Sequence, residues 1–160
     1  MITAIDTNIL VDVIGGLSDL YGESSSLLER HSNKGSLIIS PIAYSELLAV
    51  FLKQYDEHEA GSMLAKFLSD TGIRIFEFAP EDFKLAAKAW REFTSTRQLI
   101  CSKCGAVNAF SCKKCGAQMS WRNHILTDFL IGAHAQNHAD TLLTRDKSHY
   151  KKYFKVKILP

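Results

Sequence analysis

The amino-acid sequence predicts an α/β domain with a parallel β-sheet, and three observations carry that prediction. Short β-type runs alternate with segments of helical periodicity along the whole chain, which is the pattern of βαβ crossovers. The 160 residues are 46% hydrophobic, enough for one domain over 1–160 with a real core and one small insertion. Several acids directly follow the β-type runs or lie in the helices after them, where an open parallel sheet gathers loops and helix N-termini at one edge.

Met1–Ile5 reads as the first strand, followed by the polar elbow Asp6-Thr7-Asn8 and a short helix through Asp12, stopped by Gly15-Gly16. Ser24–His31 is predicted as a helix and Ser36–Ser40 as the second strand. Pro41 suits the first turn of a helix that continues to about Leu52. Ala60, Met63, Leu64, Phe67 and Leu68 recur at helical spacing, so Glu57–Asp70 is an amphipathic helix ending before Gly72. Ile73–Phe78 follows as a strand. Phe83, Ala86, Ala87, Trp90 and Phe93 mark the next helix, opened by Pro80-Glu81-Asp82, whose acids complement its N-terminal dipole. Leu126, Phe129, Leu130 and Ala133 give a helix that contains Asp128, and Thr141–Thr144 and Val156–Leu159 complete about five strands.

No run of about 18 apolar residues is present for a membrane span. Asp6 also interrupts the N-terminus before a signal-peptide core can form, so the expected location is the cytoplasm. The net charge of +2 conceals an asymmetry: residues 1–92 carry 8 Lys/Arg against 14 Asp/Glu, and residues 93–160 carry 11 against 3. A basic half beside an acidic cluster suits an enzyme that holds a polyanion and a metal, although an uneven solvated surface gives the same count.

Four acids stand where a carboxylate is costly to desolvate: Asp6, Glu46, Asp128 and Asp146. Glu46 is the clearest, being the only charged residue between Lys34 and Lys53. Carried to one rim of the sheet, the four would repel one another until a divalent cation such as Mg²⁺ or Mn²⁺ joined them, which is the chemistry of a phosphodiesterase. Asn8 is placed to orient Asp6, and Thr144 to support Asp146. The alternatives are structural: an Asp after a strand also serves as an N-cap, and Asp128 also complements a helix dipole.

The segments Asp6-Thr7-Asn8-Ile9-Leu10-Val11-Asp12, Ser45-Glu46-Leu47, Thr127-Asp128-Phe129-Leu130-Ile131-Gly132-Ala133 and Leu143-Thr144-Arg145-Asp146, with Tyr153-Phe154, resemble PIN domains. Within them the chain is most similar to VapC toxins of toxin–antitoxin pairs. The resemblance covers the chain apart from about Leu99 to Arg122. It implies a three-layer sandwich with a parallel five-stranded sheet ordered 3-2-1-4-5. It also implies a Mg²⁺- or Mn²⁺-dependent endoribonuclease whose water attack leaves a 5′-phosphate and a 3′-hydroxyl. Asp6, Glu46, Asp128 and Asp146 match the acidic positions one by one. A homodimer and a small antitoxin partner are implied as well. One departure is the basic spacer Lys147–Lys152 before Tyr153-Phe154, longer than the usual gap to an aromatic.

All four cysteines lie in Cys101-Ser102-Lys103-Cys104-Gly105 and Cys112-Lys113-Lys114-Cys115-Gly116, inside the 99–122 insertion. Two such knuckles suit tetrahedral Zn²⁺ held by Cys101, Cys104, Cys112 and Cys115. Four thiolates leave no open position, so this zinc would be structural and supply the ordering energy that about 25 residues lack. Two disulfides are the alternative, disfavoured without a secretion signal, and iron is another possible occupant. Lys103, Lys113, Lys114 and Arg122, with no acid between Phe93 and Thr127, are candidate RNA contacts.

His134 and His138 share a helical spacing, but Ala135 stands where HExxH needs its glutamate, which argues against a catalytic zinc there. Lys alternating with Tyr153, Phe154, Val156 and Ile158 over Lys151–Lys157 reads either as an RNA grip or as a solvated edge strand. Two other functions compete with the toxin nuclease: a housekeeping RNA-processing nuclease, and a non-catalytic RNA-binding protein that depends on the zinc lobe.

Overall fold

The computed structural model describes residues 1–15, 19–95, 99–100, 107–108, 114 and 125–160. In chain order the elements are β1 (Ile2–Ile5), α1 (Thr7–Gly15), α2 (Tyr21–Ser32), β2 (Ser36–Ile39), α3 (Pro41–Phe51), α4 (Glu57–Thr71), β3 (Ile73–Ile75) and α5 (Pro80–Ser95). They continue with β4 (Leu99–Ile100), β5 (Val107–Asn108), α6 (Ile125–His138), β6 (Thr141–Leu143), α7 (Lys147–Tyr153) and β7 (Lys157–Leu159).

Five strands form one parallel sheet in the order β3-β2-β1-β6-β7. Counted along the sheet-forming strands this is 3-2-1-4-5, the order that the resemblance implied. Thr3 lies at the centre, opposite Leu37 of β2 and Thr141 of β6. Successive strand residues point to opposite faces, so each strand feeds two cores. Ile5, Leu37, Ile39, Ile73 and Leu143 pack beneath α1 to α4, with Ile9, Leu10, Leu47 and Leu64. Ala4, Ile38 and Leu142 pack on the other face against α5, α6 and α7, with Ala86, Phe129, Ala133, Tyr150 and Phe154. The chain travels outward from β1 to β3 and then returns past β1 to β6. Crossovers of one hand running in opposite directions land on opposite faces, which gives the three layers.

Local chemistry fixes where the helices begin and end. Ser40 caps α3, its Oγ accepting from the Ala43 N–H at 3.2 Å, and Pro41 supplies the first turn. Asp56 caps α4 through the Glu59 N–H at 2.9 Å, and Gly72, at φ 66°, ends it in the left-handed region. Asp82 lies fully buried in the first turn of α5. It accepts from the Ala79 N–H at 2.8 Å, as a capping box requires, and from Asn137 Nδ2 at 2.7 Å.

Four expectations change. The third strand ends at Ile75, not Phe78: the Phe76 N–H still donates to Ile39 O at 2.9 Å, but its carbonyl faces His134 Nε2 at 2.8 Å across the layer. The first helix passes Asp12 and reaches Gly15. The basic Lys147–Lys152 segment is not a spacer, and Lys151–Lys157 is not an edge strand. Lys147–Tyr153 forms α7, because Tyr150, Tyr153 and Phe154 share one helical face and pack against Phe129 or one another.

Leu99–Ile100 and Val107–Asn108 pair antiparallel, Leu99 opposite Asn108 and Ile100 opposite Val107. The proposed ligands Cys101, Cys104, Cys112 and Cys115, and Lys103, Lys113 and Arg122, lie outside the described residues. Lys114 is exposed. Among the described residues no helix is long and apolar enough to cross a membrane.

Candidate active site: an acidic cleft at the sheet's carboxyl edge

The strand order reverses between β1 and β6, and the crevice outside the carboxyl ends of these two strands is where open parallel sheets bind ligands. Pairing continues one residue past each strand, with the Asp6 N–H donating to Leu143 O at 2.9 Å and the Thr144 N–H to Leu159 O at 2.8 Å. Asp6 and Thr144 are thereby set side by side at the mouth of the crevice. An open cleft of about 420 Å³ lies above them, lined by Asp6, Thr7, Asn8, Val11, Asp12, Glu46, Asp128, Asp146 and Tyr150.

All four acids singled out in the sequence line this one cleft, each delivered by a different element. Asp6 ends β1, Glu46 projects from α3, Asp128 lies in the first turn of α6, and Asp146 directly precedes α7. Asp6 is buried, Glu46 and Asp128 are half-buried, and Asp146 is exposed.

Asp6 is the most heavily bonded. Its Oδ1 accepts from the Thr7 N–H at 2.7 Å, while its Oδ2 accepts from Asn8 Nδ2 at 2.7 Å, Thr144 Oγ1 at 2.6 Å and, more loosely, the Tyr150 hydroxyl at 3.4 Å. Asp6 therefore satisfies the N–H of Thr7, the first residue of α1, while it faces the cleft. Asn8 joins the network: its Nδ2 also reaches Thr144 Oγ1 at 3.2 Å, and its Oδ1 accepts from the Arg145 N–H at 3.2 Å. Thr144 Oγ1 accepts from the Asp146 N–H at 3.1 Å. Glu46 Oε2 is held by the Thr7 hydroxyl.

The electrostatics follow from this crowding. Burial raises the Asp6 carboxyl to about 6, the hydrogen bonds from Thr144 and the Thr7 N–H limiting the rise while Glu46 and Asp146 add to it. Burial, then the charges of Asp6, Glu46 and Asp146, raises Asp128 to about 7. Burial first, then the same four carboxylates, drives the Tyr150 hydroxyl well above its ordinary range, so it stays protonated and can only donate toward Asp6.

Four mutually repelling carboxylates are the donor chemistry of a hard divalent cation such as Mg²⁺ or Mn²⁺. Among the described residues, no three Asp, Glu, His or Cys side chains already stand closely enough to grip an ion. The repulsion and the oxygen-only donor set are the features that fit one.

Four cleft contributors were not read from the sequence. Thr7 and Tyr150 act through single hydroxyls. Asp12 is read from the sequence only as the end of the first helix, and Arg145 pairs with it at 2.7 Å. The spacing of Tyr150, Tyr153 and Phe154 is the signal that would have revealed α7 and with it Tyr150. The histidines of α6 lie away from the cleft, His134 buried and His138 half-buried. His134 meets Phe76 O, and His138 Nε2 meets Asp82 Oδ2 at 2.8 Å. Burial lowers His134 despite its bond to Phe76 O, so it sits neutral.

The PIN domain profile matches residues 3–155. No curated protein is similar enough in sequence to match. Among solved structures, VapBC2 from Rickettsia felis, bound to a DNA fragment from its promoter, aligns at TM-score 0.65 and 22% identity, covering 99% of this chain and 98% of that one. FitAcB from Neisseria gonorrhoeae aligns at TM-score 0.65 and 16% identity, over 100% and 97%. VapC20 from Mycobacterium tuberculosis, a sarcin–ricin loop cleaving toxin, aligns at TM-score 0.58 and 14% identity, over 99% of each chain. At these identities the likeness is one of fold.

Proposed function

The chain belongs to the PIN domain family, and on that footing we propose that it is an endoribonuclease that hydrolyses RNA phosphodiester bonds with Mg²⁺ or Mn²⁺. The observation that carries this reading is the convergence of Asp6, Glu46, Asp128 and Asp146 from four separate elements on one cleft. When bound, the cation supplies Lewis acidity to a phosphate oxygen and to the attacking water. The residues do the rest. Thr7, Asn8 and Thr144 fix the Asp6 carboxylate, and the Thr7 hydroxyl fixes Glu46. Asp128 is the carboxylate with most to gain from a cation, because its rise comes from burial and three like charges. The expected products are a 5′-phosphate and a 3′-hydroxyl.

We assign the protein the role of toxin in a toxin–antitoxin pair, inhibited by a small partner protein and acting as a homodimer. Its likeness to VapBC2 and FitAcB supports the pairing, and the description of VapC20 supports an RNA target. The CxxCG spacing supports a structural Zn²⁺ at Cys101, Cys104, Cys112 and Cys115, and the basic residues Lys103, Lys113, Lys114 and Arg122 support RNA contacts by that lobe.

The test is cleavage of a pooled RNA with Mn²⁺, comparing the natural protein with Asp6→Asn and mapping the new ends. The natural protein should cut and leave 5′-phosphates, while the variant should fold and not cut. Undiminished cleavage by Asp6→Asn, or cleavage that persists in EDTA, would sink the reading.

A further inference from the structure

A second groove, of about 330 Å³, lies between α2 and the edge strand β7. Leu27, Leu159 and Pro160 form its apolar walls, and Arg30, His31 and Lys34 line it around the end of α2. The histidine is only 4% exposed, and its Nδ1 lies 3.1 Å from Thr3 Oγ1 of β1. Among the described residues its other ring nitrogen, Nε2, has no hydrogen-bond partner. Nor is that nitrogen sealed in the core, since Ser25 Oγ is the only fully enclosed side-chain polar atom without a partner among those residues. The ring therefore brings an unpaired nitrogen to the groove wall. Burial first, then the charges of Lys34, Arg30 and Lys157, hold the ring below its ordinary range, so it sits neutral. Among the described residues none of these three cations has an ion-pair partner. Glu23, the only acid on the wall, stands 3.5 Å from Arg145. The dipole of α2 accounts for basic residues in its last turn, but not for Lys157, which comes from β7.

We propose that this groove binds the phosphate group of a nucleotide, gripped by Arg30 and Lys34 and met from the wall by the His31 Nε2–H. Thr3 Oγ1 donating to Nδ1 leaves the proton of a neutral ring on Nε2, which turns the ring into a donor facing the groove. The full charges of Arg30, Lys34 and Lys157 outweigh the roughly half negative charge of the α2 C-terminus, which alone would repel an anion. Arg30 and Lys34 are exposed and reach an anion without being buried beforehand, so their charge-assisted bonds are not offset by a large desolvation cost. Leu27, Leu159 and Pro160 offer apolar surface to the sugar or base, which an inorganic anion cannot use. The acidic cleft and its cation take no part, so this site stands apart from the nuclease reading above.

The experiment follows the histidine ring nitrogens of the full chain, without added divalent metal and near neutral pH, by nuclear magnetic resonance. Spectra are taken alone and then with sodium sulfate, adenosine 5′-monophosphate or a short oligoribonucleotide. Alone, His31 should show the Nε2–H tautomer; an Nδ1–H ring has no donor for the groove and overturns the proposal. Sulfate, which has the shape of a phosphate, and the mononucleotide should each shift the His31 signals saturably, the mononucleotide binding several-fold tighter. Arg30→Gln and Lys34→Gln should each weaken mononucleotide binding about tenfold, the loss of one charge-assisted bond. Both side chains are exposed, so both variants should fold. Lys84→Gln, which removes a cation from α5, should leave the affinity within about twofold. Unmoved His31 signals overturn the proposal, as do Arg30 and Lys34 variants that bind like the natural protein, or a Lys84 variant that loses as much as they do. A mononucleotide that binds no tighter than sulfate overturns the nucleotide assignment. An oligoribonucleotide that binds tighter than the mononucleotide makes an RNA strand the source of the phosphate, and equal binding makes it a free nucleotide.

Discussion

Replacing Asp128 with Asn should stabilise the metal-free protein at neutral and alkaline pH. Burial and the charges of Asp6, Glu46 and Asp146 raise the Asp128 carboxyl from 3.8 to about 7. An acid that holds its proton more tightly in the folded chain makes that state bind more protons than the unfolded one between these values. Stability is then greatest below 3.8 and falls as pH rises through about 7. The interval corresponds to roughly 4 kcal/mol. Asp128 is only half-buried, so screening by solvent reduces this to ~1–2 kcal/mol. Asn keeps the shape and cannot ionise. Urea denaturation in EDTA, followed by circular dichroism, should show the variant more stable than the natural protein, with a gap that widens from about pH 5 to about pH 8. A gap that stays constant, or a variant less stable at the higher pH, would refute the claim that the cleft acids repel one another.

Two further outcomes test other parts of the molecule. A Cβ on Gly132 of α6 would lie 2.3 Å from Phe154 Cε2 and 2.6 Å from Cδ2, so Gly132→Ala should lower stability by ~1–3 kcal/mol. Phe154→Leu should recover part of that loss in thermal melting, and an unchanged melting temperature in Gly132→Ala would count against this packing. For the cysteine insertion, elemental analysis should find one Zn²⁺ per chain, lost on Cys104→Ser with Cys115→Ser; two disulfides and no zinc in mass spectrometry would replace the metal by the alternative pairing.

The fold was legible because its signals are local and repeated. Alternating β-type and helical periods define βαβ units, and one crossover rule then arranges them. The acid set was legible for a different reason: a lone Glu46 in an apolar segment, or an Asp closing an apolar run, is conspicuous without knowing what it touches. Partners were not legible in the same way. Thr7, Tyr150 and Arg145 are ordinary residues in sequence, and their roles come from contacts spanning 39, 144 and 133 positions. Asp12 reads only as a helix end, since the Arg145 that holds its carboxylate lies 133 positions away. The basic Lys147–Lys152 stretch hid α7, since its charges obscured the apolar face made by Tyr150, Tyr153 and Phe154.

Burial alone does not explain how the cleft's acids titrate. Asp6 is the more buried of the two perturbed carboxylates, yet its rise, to about 6, does not exceed that of half-buried Asp128, to about 7. Hydrogen-bond donors offset part of the effect of its burial, because they favour the ionised form. Asp6 accepts from the Thr7 N–H, Asn8, Thr144 and the Tyr150 hydroxyl, whereas the causes acting on Asp128 are burial and three neighbouring charges. The protein's own donors thus do for Asp6 part of what, in the proposed reading, only a cation does for Asp128. The fold holds one carboxylate by hydrogen bonding and leaves another raised by burial and by its neighbours' charges, and in the proposed reading the second gains the more from an ion.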